Sequence, residues 1–231
     1  MKQLSTLTKD AFKSVIDNFG FLLAVQLLGS LIPLGVVIVW GVFALFSEKA
    51  GDTTFGSDSG TILFGALFMI VMVFANSVYY AANVLAVRDA YEKKKRKKYG
   101  EYFKAAFGLM AKVTAVTIIM TALVIFGLIF LIIPGLLVAY YLMFALMVVV
   151  LEKKSIFGAL SRSFNLVSQN FWPLLGKIIV FGICYLLVVI ATNFIPLVNI
   201  VVSIFANMIA IMFIYVLYRE VIEKEKHSAK K

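Results

Sequence analysis

Apolar positions fill six long runs of the chain, 19–46, 61–87, 107–133, 135–151, 172–194 and 197–218, and polar positions gather in the short segments between them. Within each run the apolar residues occupy every side of a helix, not a single stripe, and about 20 such residues span a bilayer. The pattern predicts an all-α, polytopic integral membrane bundle of six transmembrane helices in a single domain, 1–231. The fourth run is short, so Pro134 and Gly135 must turn the chain within or close to the interface. Pro134 lacks an N–H and biases Ile133 away from helix. Spans three and four therefore form a tight hairpin, and spans five and six another around "NFIPLVN" (193–199). Pro33 falls inside the first run and predicts a kink, its freed carbonyl re-satisfied by neighbouring helices.

A helical period with one apolar face precedes each odd-numbered span, over 5–18, 97–106 and 155–170. Phe12, Val15, Ile16 and Phe19 share a face before the first; Tyr99, Tyr102, Phe103 and Ala106 before the third; Phe157, Leu160, Phe164, Val167 and Phe171 before the fifth. Such helices lie in the interface, apolar face among acyl chains and polar face on water or headgroups. Residue matches support a repeat. "NFGFLLAV" (18–25) aligns with "NFWPLLGK" (170–177), and "FGLMAK" (107–112) with "WPLLGK" (172–177). "VFAN" (73–76) followed by "VRDAYEK" (87–93) has the spacing of "IFAN" (204–207) followed by "YREVIEK" (218–224). The unit is an amphipathic helix, a span, a turn and a span, used three times as hairpin repeats. Ala24, Ala111 and Gly176 fall at equivalent positions, where small side chains let backbones approach.

Composition agrees. Hydrophobic residues make up 62% of the 231 and charged residues 15%, with mean hydropathy +0.99; soluble domains average roughly 45–50% and about 25%. The net charge of +10 is unevenly spread. With both termini and the loops 88–104 and 152–170 cytoplasmic, those segments hold 19 of the 22 Lys and Arg, whereas "SEKAGDTTFGSDSG" (47–60) on the outer side has only Lys49. The amphipathic helices then lie on the cytoplasmic side, and the location expected is the inner or plasma membrane of a cell. The apolar run after Asn18 is about twice a signal-peptide core and has no small-residue cleavage site, so it is expected to be retained. Cys184 is alone and can make no intramolecular disulfide.

The stretch "IIPGLLVAYYLMFALMVVVLEKKSIFGALSRSFNLVSQNFWPLLG" (132–176) carries a Pro-Gly turn, a glutamate at the cytoplasmic end of the next span, "ALSRSF", and an aromatic-proline-leucine entry to the fifth span. In these features it resembles the membrane domain attached to some bacterial glycerophosphoryl diester phosphodiesterases, and that domain's stand-alone six-helix relatives. The resemblance implies the fold and a membrane location. It implies no catalytic residue, because the family's phosphodiesterase chemistry belongs to a separate soluble domain that this sequence does not contain.

Candidate chemistry is sparse. His227, the only histidine, sits in the lysine-rich tail, so no His/Cys metal site, Cys–His pair or Ser–His pair can form within one chain. No cofactor is expected. "GSDSG" (56–60) is expected as a solvated loop, and Glu101 and Glu152 could meet at the cytoplasmic face. All twelve carboxylates lie in loops, tails or span ends, away from the mid-membrane positions where proton relays place them. Lys93, Lys94, Lys95, Arg96, Lys97 and Lys98 form a basic loop beside a span, where each cation gains about 1 kcal/mol from an anionic leaflet. This run is a topology determinant or a dock for anionic phospholipid or an acidic protein partner; no nucleic-acid fold surrounds it. Lys112 and Lys177 match in the repeat and snorkel to the interface, or bind one lipid phosphate together with Arg162. The intramembrane polar residues Gln26, Asn76, Asn83 and Asn207 suit helix packing or a substrate cavity, and Tyr79, Tyr80, Tyr140 and Tyr141 suit packing. The leading expectation is a non-enzymatic membrane protein that associates with anionic lipids or protein partners through its basic face. The alternatives are a transporter of a lipid or small solute, with a cavity lined by the four amides, and a membrane-embedded lipid-modifying enzyme.

Overall fold

A computed structural model describes residues 3–49, 58–192 and 196–228. Residues 50–57 of the expected outer loop and 193–195 of the last expected turn lie outside the described residues. The helices in chain order are α1 (Leu4–Asp17), α2 (Phe19–Lys49), α3 (Asp58–Tyr91), α4 (Tyr99–Phe130), α5 (Ile132–Tyr141), α6 (Ala145–Glu152), α7 (Ile156–Ser168), α8 (Phe171–Thr192) and α9 (Pro196–Ser228). By length and composition six segments among the described residues suffice to cross a membrane: Phe19–Leu45, Ile62–Tyr91, Tyr99–Phe130, Ile132–Glu152, Phe171–Thr192 and Val201–His227. The all-helical, six-span expectation holds. Helices outrun the apolar windows because Arg, Glu and Lys favour helix as strongly as most apolar residues do; α9 carries on through "YREVIEKEK", and α3 starts at Asp58 inside the stretch expected as a loop. Pro33 lies inside an unbroken α2.

α9 is the hub, packing on α1, α2, α3 and α8, while α4 joins α3 to α5 and α6. Buried side chains concentrate at one end of the bundle, among them Val78, Val84, Tyr102, Phe144, Met147, Met212, Phe213 and Tyr215. Toward the other end the helices present large apolar side chains outward, including Ile62, Ile129, Ile133 and Leu187. The tightly packed end carries the basic loop.

The surface helices differ in two ways from the pattern read in the sequence. The α1 face packed into the protein is Leu7, Ala11 and Val15, and Phe12 and Ile16 point outward. α7 buries Ala159, Ser163, Leu166 and Val167 and exposes Phe157 and Phe164. In each helix the smaller apolar residues pack on the bundle and the aromatic ones remain outside, where an interfacial helix meets acyl chains. The middle copy has no separate surface helix. The 97–106 segment is the first turns of α4, since nothing after Gly100 breaks the helix, whereas Asn18 and the 169–170 turn interrupt the other two.

The chain turns at Leu131, not at Pro134-Gly135: Ile133, Pro134 and Gly135 are already helical in the first turn of α5, where a proline's missing N–H would have no partner within the helix. Leu131 is extended, and Gly127 and Gly135 meet so closely that a Cβ on Gly127 would lie 2.8 Å from the Gly135 Cα. The fourth span, expected to be continuous over 135–151, is broken at Leu142–Phe144 between α5 and α6. Ser163 of α7 holds the break together. Its hydroxyl donates to the Tyr141 carbonyl (2.9 Å) and accepts from the Phe144 N–H (3.1 Å), and the side chain is fully buried. Ser163→Ala leaves both backbone groups without that partner and is expected to cost about 1–3 kcal/mol. Thermal unfolding of the purified variant checks it; wild-type stability would show that the hydroxyl contributes nothing.

Candidate functional site

Tyr215, Tyr218, Arg219, Ile222, Glu225 and Lys226 recur at helical spacing along the end of α9, so they share one face. That face meets Arg88 and Glu92 at the end of α3, Lys94 in the basic loop, Leu151 and Glu152 at the end of α6, and Arg162 of α7, enclosing a pocket of about 410 Å3. The two glutamates are placed alike. Each is followed by a lysine in the left-handed region, Lys93 (φ 51°) and Lys153 (φ 55°), which stops the helix there. Each accepts a hydrogen bond from an α9 tyrosine: Tyr215 to Glu92 (2.7 Å) and Tyr218 to Glu152 (2.6 Å).

Arg162 donates both terminal nitrogens to Glu225, at 2.6 and 2.5 Å, and its Nε lies 3.7 Å from Glu152. The bidentate bond to Glu225 raises the guanidinium pKa above its usual value. Arg219 is held loosely, 3.5 Å from Glu92 and 3.5 Å from Glu223. Burial alone would raise the pKa of Glu92, but hydrogen bonds from Lys94 and Tyr215 and the charges of Arg219 and Lys94 outweigh it and hold the carboxylate below its ordinary value. Five cations, Arg88, Lys94, Arg162, Arg219 and Lys226, and three carboxylates, Glu92, Glu152 and Glu225, line the pocket, and Arg88 and Arg219 also pair with Asp89 (2.8 Å) and Glu223 (3.5 Å) beside it. The Nε atoms of both Arg162 and Arg219 are buried and have no hydrogen-bond partner among the described residues. Two unused guanidinium donors suit an anion with several acceptor oxygens.

Of the three cations expected around one phosphate, only Arg162 lines this pocket. Lys177 is paired with Glu220 at 2.8 Å, each side chain 10% exposed, and Lys112 is exposed on α4. Glu101 is exposed and does not join Glu152. In the basic loop Lys94 pairs with Glu92, and Arg96 donates to Asn18 (2.9 Å) and covers the Phe21 ring. Lys93, Lys95, Lys97 and Lys98 are exposed. The repeat has a structural counterpart here. Asn18 and Asn170 each bond the carbonyl four residues back, and each accepts from a cation of a following segment, Arg96 and Lys224. Among the described residues no group of His, Cys, Asp and Glu could hold a metal ion.

The intramembrane amides divide. Gln26 donates to the Ile204 carbonyl (3.1 Å) and joins α2 to α9, and Asn83 bonds the Tyr79 carbonyl of its own helix. Asn76 and Asn207, from the repeated Phe-Ala-Asn, line one cavity of about 590 Å3. The pocket residues Tyr215, Tyr218, Arg219 and Glu225 escaped the sequence reading because they sit in a span end and a charged tail. Their spacing on one helix face was the available signal.

A family model matches residues 57–221, most of the chain. The chain belongs to the uncharacterised protein family UPF0259. No curated protein and no solved structure matches it. The expected kinship with the glycerophosphoryl diester phosphodiesterase membrane domain finds no support; the UPF0259 match reaches across the 132–176 stretch that suggested it. The UPF0259 match extends from α3 into α9 and so includes every residue of the pocket except Ile222, Glu225 and Lys226.

Proposed function

We propose that this protein is a non-enzymatic integral membrane protein that holds anionic phospholipid at the cytoplasmic face of a cell's inner or plasma membrane. The phosphate sits between Arg162 and Arg219. The observation that carries this reading is that two buried guanidinium Nε–H groups, those of Arg162 and Arg219, make no hydrogen bond among the described residues and belong to one pocket lined by five cations. Guanidinium matches phosphate geometry and sheds its hydration more easily than an ammonium. The pocket lies where apolar helices give way to polar ends, at headgroup depth, and the exposed lysines of the 93–98 loop beside it draw the protein to an anionic leaflet. Both termini lie on the same side by the distribution of Lys and Arg.

A ligand that binds the native state raises its melting temperature. Phosphatidylglycerol added to the detergent-purified protein is expected to raise Tm where phosphatidylcholine does not. Arg219→Gln removes a donor and a charge whose own contacts are 3.5 Å long, so the fold tolerates it, and the increment is expected to vanish. Lys112→Leu is expected to keep the increment. An equal Tm rise in wild type and Arg219→Gln would refute the assignment of the phosphate to this pocket.

A further inference from the structure

We infer that the cavity between α3, α4, α6 and α9 binds an uncharged lipid with a free hydroxyl group, of the diacylglycerol class. It is a groove open at the outer face of the bundle, where Asn76 and Met69 are exposed, and it lies near the middle of the spans. Asn76 falls near the middle of the Ile62–Tyr91 segment, about 20 Å along the helix from Tyr91. Asn207 donates to the Tyr79 hydroxyl (3.3 Å), which places it at nearly the same depth. The volume of about 590 Å3 is within the range of small-molecule sites, and much of the wall is apolar: Phe68, Met69, Met72, Val73, Leu146 and Ile211.

The polar lining decides the ligand. Ser77 donates to the Val73 carbonyl and accepts from Thr114, and Thr117 donates to the Val113 carbonyl, so these hydroxyls are occupied. Asn76 uses one N–H on the Met72 carbonyl. Among the described residues its Oδ1, the Oδ1 of Asn207 and the Tyr80 hydroxyl have no hydrogen-bond partner, yet all three residues line the cavity. Hydrocarbon offers such groups nothing, so at this depth an occupant must. Among the described residues no Lys, Arg, Asp or Glu lines the wall, and a charged headgroup would be stranded there. A diacylglycerol fits: its hydroxyl donates to an asparagine Oδ1, an ester carbonyl accepts from Tyr80 or an amide N–H, and its acyl chains lie on the apolar wall. Because the wall bears no cation, this site is independent of the phosphate pocket.

The test uses the full chain in phosphatidylcholine nanodiscs with a diacylglycerol carrying a photoreactive diazirine on one acyl chain. Labelling is expected on peptides from 68–80 and 207–211, displaced by unlabelled dioleoylglycerol and unaffected by phosphatidylglycerol. Asn76→Leu with Asn207→Leu is expected to weaken it about tenfold, two hydrogen bonds of ordinary strength in a membrane. Val73→Trp, which fills the cavity and keeps both amides, is expected to abolish it. Arg219→Gln is expected to leave it intact. Labelling that phosphatidylglycerol displaces as well as dioleoylglycerol does, or that spreads evenly over outward-facing residues such as Ile129 and Ile133, would overturn the inference in the wild-type protein alone. Undiminished labelling in folded Val73→Trp would do the same.

Discussion

Replacing Lys177 with leucine is expected to destabilise the protein by about 3–5 kcal/mol, the usual consequence of removing one partner from a buried ion pair. The ammonium lies 2.8 Å from the Glu220 carboxylate, and only a tenth of either side chain is exposed. The pair links α8 to α9, which otherwise holds α8 chiefly through apolar contacts such as Phe181 on Phe213. Lys177→Leu with Glu220→Leu removes both charges of the pair, so the double variant is expected to be less destabilised than the single one. Lys112 occupies the matching repeat position but is exposed, and Lys112→Leu is expected to change stability by no more than about 0.5 kcal/mol. Denaturant titrations in detergent measure all three. A single Lys177 variant as stable as wild type would show that the pair contributes nothing.

The second large effect is steric. Gly127→Ala puts a Cβ 2.8 Å from the Gly135 Cα and 2.9 Å from its N, so backbone itself must move. The expected cost is about 3 kcal/mol, the upper end of the range for overpacking, because neither side of the contact has a rotamer to change. Opening this hairpin also displaces α5, whose Tyr140 hydroxyl donates to the Phe171 carbonyl at 2.6 Å and so fixes the entry to α8. Gly108 is the control on the same helix. A Cβ there meets nothing within 4 Å, and Gly108→Ala is expected to stabilise by about 0.4–1 kcal/mol through the unfolded chain. Equal effects at the two positions, by thermal unfolding, would contradict the close approach of α4 and α5.

Much of this architecture could be read from the chain, and the physical reason is that bilayer-spanning helices need long apolar runs. The α4–α5 hairpin was legible to within a few residues because proline and glycine act locally, although the turn falls at Leu131 and Pro134-Gly135 open the next helix. The break at Leu142–Phe144 was not: "YYLMFA" contains neither residue, and the freed backbone groups are taken by Ser163, about twenty residues away. The repeated Phe-Ala-Asn pointed to Asn76 and Asn207 as a pair, and they do share a cavity, but nothing local set Gln26 and Asn83 apart from them. Pairings such as Lys177 with Glu220 and Arg162 with Glu225 join residues far apart in sequence, so composition could mark the cations without naming their partners. The same distance hid the pocket along the end of α9, which needs α3, α6, α7 and α9 at once.

Native mass spectrometry of the protein, extracted gently from its own membranes, tests the central claim most directly. A stoichiometric anionic phospholipid adduct is expected on the wild-type chain, retained by Lys112→Leu and lost from Arg219→Gln. A bare wild-type chain, or an adduct equally abundant in Arg219→Gln, would contradict it.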